Sequence, residues 1–101
     1  MAPDQLDHSV ARLLPWVRDD GAPCYLVTDG HGPVSRMADE MERMQIRMAV
    51  EIQEYAHSLV EDADATVLEL RFAATRLSEC LTDALRIAES RGGRLERERM
   101  T

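Results

Sequence analysis

Apolar residues recur every three or four positions through two long stretches of the chain. Val34, Met37, Met41, Met44, Met48, Ile52, Tyr55 and Leu59 keep one side of a helix apolar along its whole length. Val67, Leu70, Ala74, Leu77, Leu81, Ala84 and Ala88 alternate steps of three and four, which is a heptad seam. Neither stretch contains a helix breaker between Pro33 and Gly92. The spacing predicts helices over about 34–60 and 65–91, each about 38 Å long at 1.5 Å per residue. Ser35 is a candidate cap for the first helix, or Pro33 sits in its first turn. Asp64 is a cap candidate for the second, and Thr66 with Glu69 fits the capping-box spacing. Arg91, Gly92 and Gly93 read as a cationic last turn and a left-handed stop. The acidic link Glu61–Ala65 is too short for anything but an antiparallel return. In the resulting hairpin, 34–91, Leu59 faces Val67, Ile52 faces Ala74, and the methionines face Leu77, Leu81, Ala84 and Ala88. Long pliable Met side chains then fill the space left by small Ala.

Before the hairpin, residues 1–33 read as a short helix and a turn-rich arm. Leu6, Val10, Leu13, Leu14 and Val17 follow helical spacing, so residues 4–18 are expected to form a short amphipathic helix ended or kinked at Pro15. Trp16, the only Trp, is expected to pack against the hairpin. Asp19–Pro23 is a turn-rich link, and residues 24–28 (Cys-Tyr-Leu-Val-Thr) are the one stretch with strand character. Asp29–Pro33 is a turn leading to the first long helix. Residues 92–101 form a charged tail. The fold class expected from these elements is all-α: a helical hairpin with a short N-terminal helix and one possible short strand.

Composition narrows the function classes. At 101 residues the chain is one domain, and with 45% hydrophobic but only 4% aromatic residues its core must be aliphatic and Met-based. A net charge of −7 repels phosphate backbones and anionic lipid, so neither nucleic acid nor a membrane is an expected partner. All 12 basic residues are Arg, which reads as GC-rich coding of a bacterial kind. Cys24 and Cys80 have no metal-site spacing and make no disulfide framework. The acidic start lacks the apolar run of a signal peptide, and no stretch approaches the ~20 apolar residues of a span. The expected location is cytoplasmic.

Candidate chemistry is sparse. The stripe Met37, Met41, Met44, Met48 offers thioethers suited to Cu(I), but its spacing is that of the seam, where Met is a gap-filler. His8, His31 and His57 form no ligand pair. Gly30 and Gly32, after a strand and before a helix, suggest a phosphate-binding turn at Gly30–Pro33, although no second strand is expected to complete a dinucleotide fold. The run Leu26-Val27-Thr28-Asp29 followed by Gly32 resembles the hairpin turns of PAS-like sensor domains. Ala56-His57-Ser58-Leu59 resembles the A-H-x-L motif of histidine phosphotransfer domains, with Val60-Glu61 where that motif continues Lys-Gly. No metal, cofactor or catalytic residue is assigned.

Two apolar pairs lie off the expected seams: Ile46 and Val50 on the first helix, Leu68 and Phe72 on the second. At 100° per residue each points well away from its seam neighbours. In the hairpin register the two pairs sit at different heights and form two patches, and these four residues are the expected interface of a homodimer. The sequence therefore reads as a small non-enzymatic protein–protein interaction module, regulatory or accessory to another protein. The alternative is a small-ligand or phosphotransfer protein using Gly30–Pro33 or His57.

Overall fold

The computed structural model describes residues 10–100. Two strands, β1 (Val10–Val17) and β2 (Pro23–Thr28), precede two long helices, α1 (Pro33–Val60) and α2 (Val67–Met100). The strands form a two-stranded antiparallel sheet and the helices an antiparallel hairpin, so the class is α+β and not all-α.

The N-terminal correction has a definite cause. A strand at Pro23–Thr28 exposes a full row of backbone donors and acceptors, and it needs a ladder partner. The preceding apolar run supplies one, with Val10 opposite Thr28, Arg12 opposite Leu26 and Leu13 opposite Tyr25. The ladder shifts register between Leu13 and Val17, where Pro15 has no N–H to donate. Asp19–Pro23, expected as a link, closes the β-hairpin: Arg18 N–H donates to the Ala22 carbonyl (2.8 Å) and Gly21 N–H to the Arg18 carbonyl (2.9 Å). Gly21 has φ 84°, a conformation other residues rarely adopt. The first part of the expected helix, residues 4–9, lies outside the described residues.

Helix ends follow local chemistry. Gly32 (φ 106°) precedes α1, and Pro33 occupies the first turn, so Ser35 is not the cap. At α2 the capping box forms in both directions: Glu69 N–H donates to Thr66 Oγ1 (3.0 Å) and Thr66 N–H to Glu69 Oε1 (2.9 Å). The other end overturns the expected stop at Gly92-Gly93, because α2 continues through both glycines and absorbs the tail as far as Met100. Neither glycine has a positive φ, and a Cβ built on either meets nothing within 4 Å. Gly92→Ala or Gly93→Ala is therefore expected to stabilise the protein by about 0.5–1 kcal/mol, seen as a raised urea midpoint.

The seam also differs from expectation. The stripe of buried and half-buried positions runs through Ser35, Ala38, Glu42, Gln45, Ala49, Ile52, Ala56 and Leu59 on α1, with Asp39 and Met41 half-buried beside it, and through Ala73, Arg76, Cys80, Asp83, Ile87, Ser90 and Arg94 on α2, with Arg86 half-buried beside it. Each set keeps steps of three and four, but each is displaced by one residue from the predicted seam over most of its length. Each helix is thus turned by roughly 100°. Small and polar side chains fill most of the seam, with Ile52, Leu59 and Ile87 among them. Among the described residues its apolar cluster, Ala56, Leu59 and Ala73 with Ala65 beside them, sits at the closed end.

Candidate functional site

Turning the helices points their large apolar side chains outward. In an antiparallel pair, residues rotated in the same sense from the two seams fall on the same side. By that count Met37, Met44, Met48 and Tyr55 of α1 share a side with Leu68 and Phe72 of α2. The rings of Tyr55 and Phe72 meet edge to face with centroids 6.2 Å apart, which fixes that side independently. The opposite side carries Ile46 and Val50 of α1 with Leu70, Leu77 and Leu81 of α2. All of these side chains are exposed. The hairpin thus has a Met-rich face and a face of branched aliphatic residues.

The four expected interface residues all point outward: Ile46 is 39% exposed, Val50 49%, Leu68 77% and Phe72 53%. They do not form one surface, because Ile46 and Val50 belong to the branched face while Leu68 and Phe72 belong to the Met-rich one. The exposure of Met37, Met44, Leu77 and Leu81 was not anticipated, since the most apolar stripe is the natural choice for an internal seam.

A buried charge cluster holds the β-hairpin at the open end of the helices. Arg12 of β1 is 3% exposed. Its Nη1 donates to the Ser35 carbonyl (3.2 Å) and its Nη2 to Asp39 Oδ1 (2.7 Å). The same nitrogen lies 3.3 Å from Glu42 Oε2, on a carboxylate that is also 3% exposed and that Arg91 of α2 approaches at 3.7 Å. Ser90 Oγ of α2 donates to the Leu13 carbonyl (2.8 Å), and Gln45 Nε2 of α1 donates to that of Pro15 (2.9 Å). One strand thereby ties both helices together. Arg12 Nε, Glu42 Oε2 and Gln45 Oε1 are buried with no hydrogen-bond partner in the protein. Away from this cluster, Arg86 and Asp83 form a half-buried pair and others are exposed; at Glu40, for example, a hydrogen bond from Arg43 and then its charge hold the carboxyl below its usual range.

The alternative sites look different in three dimensions. In the Gly30–Pro33 turn, Gly30 N–H already donates to Thr28 Oγ1 (3.1 Å) and His31 N–H to Asp29 Oδ1 (2.9 Å). The donors that a phosphate needs are engaged there, beside an acidic side chain. His57 is exposed on α1 with Nε2 3.4 Å from Glu61 Oε1. An open groove of ≈340 Å³ between the β-hairpin and α2 has Leu13, Val17, Tyr25 and Leu85 among its lining. Among the described residues no group of three or more His, Cys, Asp or Glu side chains is placed to hold a metal ion, and Cys24 and Cys80 are free thiols. No helix among them is long and apolar enough to cross a membrane. No family model, curated protein or solved structure matches the chain.

Proposed function

We propose that the protein is a non-enzymatic interaction module that works as a homodimer and serves another protein in a regulatory or accessory role. The observation that carries this reading is the outward turn of its large apolar side chains. A compact chain of 11.4 kDa has a surface of about 5,800 Å², whereas this protomer exposes 7623 Å². The excess, on the order of 1,800 Å², matches what one protomer gives up in an obligate dimer. Its radius of gyration is 18.1 Å, against about 13 Å for a compact domain of this length. Among the described residues, the large aliphatic side chains that are buried come to Leu13, Leu14, Leu59 and Ile87. Four such residues are a thin core for two helices of this length, and a second protein surface completes it.

The two faces suit different partners. Branched Ile, Val and Leu hold defined rotamers and favour a single packed arrangement, which suits self-association. Met side chains repack around varied shapes, so the Met-rich face is assigned to the other protein. Circular-dichroism melts across a hundredfold range of protein concentration test the reading. Folding coupled to dimerisation raises the midpoint with concentration. A midpoint independent of concentration, with a monomeric mass throughout, contradicts it.

A further inference from the structure

We propose that the branched apolar face is covered by a second copy of this chain lying antiparallel, α2 against α2, with the two-fold axis beside Leu77. The proposal rests on the homodimer reading above and adds its arrangement. Two independent features of the chain carry it.

The first is the stripe along α2: Leu70, Ala74, Leu77, Leu81, Ala84 and Ala88, all exposed. An antiparallel two-fold at residue 77 sets Leu70 opposite Ala84 of the partner copy and Leu77 opposite itself. It brings Leu81 near Ala74 of the partner copy. On either side of the axis large side chains then enter the space over small ones, while the two Leu77 side chains meet at the axis. A parallel two-fold sets Leu on Leu and Ala on Ala instead, alternately crowding the layers and leaving them empty.

The second feature is charge. From residue 48 to residue 70 the chain has no arginine but carries Glu51, Glu54, Glu61, Asp62, Asp64 and Glu69. The closed end of the hairpin is therefore strongly acidic. The far end of α2 carries arginines at 91, 94, 97 and 99 against Glu96 and Glu98. The same two-fold at residue 77 sets Val67, the first residue of α2, level with Ile87 of the other copy, so the acidic link that precedes Val67 lies beside the stretch past Ile87 where the basic end begins, twice over. The parallel arrangement stacks the acidic ends on each other. Packing and electrostatics favour the same antiparallel orientation without sharing a residue.

The test is a charge exchange read by sedimentation equilibrium in about 20 mM salt, where the Debye length is roughly 20 Å. One variant reverses the closed end, Glu61→Arg with Asp64→Arg. A second reverses the tail, Arg94→Glu with Arg99→Glu. A third carries all four changes. The antiparallel arrangement predicts that each of the first two raises the dimer Kd at least tenfold. The third, and an equimolar mixture of the first two, return to within about threefold of the wild type. Far-UV circular dichroism checks that all variants remain helical at high concentration. If the wild type dimerises and the two partial variants dimerise equally well, the antiparallel arrangement is wrong although the homodimer stands. Loss of dimer in the fourfold variant as well also overturns it. A monomeric wild type removes the homodimer reading itself.

Discussion

Leu77→Glu is expected to convert the protein to monomers at tens of micromolar and to lower its helix content on dilution. At the proposed two-fold the substitution sets two carboxylates against each other in an apolar layer, and a buried charge without a partner costs several kcal/mol. A loss of that size raises a dimer Kd by at least a thousandfold. In an isolated protomer the same position is 38% exposed, and a polar residue there changes stability by about 0.5 kcal/mol. Leu77→Ala divides the two cases in the same way: about 2–5 kcal/mol per protomer if the side chain is buried by a partner, and under 1 kcal/mol if it stays at the surface. Ile46→Glu with Val50→Arg, on the same face, is expected to dissociate the dimer too. Glu54→Ala on the polar side serves as a control and should remain within ~0.5 kcal/mol. Denaturation midpoints and light-scattering mass distinguish the outcomes, and unchanged mass in Leu77→Glu would falsify the use of this face.

Arg12→Met is expected to destabilise the protein by about 3–5 kcal/mol, the usual cost of leaving one member of a buried pair without the other. Glu42, 3% exposed, would keep only Arg91 at 3.7 Å. The Ser35 carbonyl and Asp39 would lose their link to β1 at the same time. Trp16 lies on β1 and is the only Trp, so its fluorescence reports this attachment directly. Arg18→Ala, which breaks an exposed pair with Asp20, should cost no more than ~0.5 kcal/mol. Equal urea midpoints for the two variants would show that the Arg12 cluster does not hold the β-hairpin on the helices.

The two long helices were legible because periodicity, end signals and link length agreed over many residues. The Thr66–Glu69 capping box formed as its spacing indicated. Residues 10–17 were not, because Leu13, Leu14 and Val17 satisfy helical spacing and also fill a strand. What decides between them is non-local: β2 needs a ladder, and only the preceding run is near enough to provide it. Gly92 and Gly93 read as a stop since glycine weakens a helix. The rest of α2 nevertheless carries the helix through them.

The face chemistry was half legible. Ile46, Val50, Leu68 and Phe72 stood out as apolar residues off the predicted seams, and their side chains do point outward. Assigning Met37, Met44, Leu77 and Leu81 to an internal seam followed from taking the strongest apolar stripe as the one a chain buries in itself. In this protein Ser35, Ala38, Glu42 and Cys80 take that place. A stripe marks an apolar helix face, not whether its own chain buries it. The Arg12 cluster had no sequence signal at all, since one arginine in a run of apolar residues is indistinguishable from a surface charge until the fold surrounds it.

Sedimentation equilibrium of the wild-type protein over about 1–100 μM tests the central claim most directly. The account predicts a mass of twice 11.4 kDa through the upper part of that range, with dissociation and falling helicity only on dilution. A constant mass of 11.4 kDa, with undiminished helix and an unfolding midpoint independent of concentration, would contradict it.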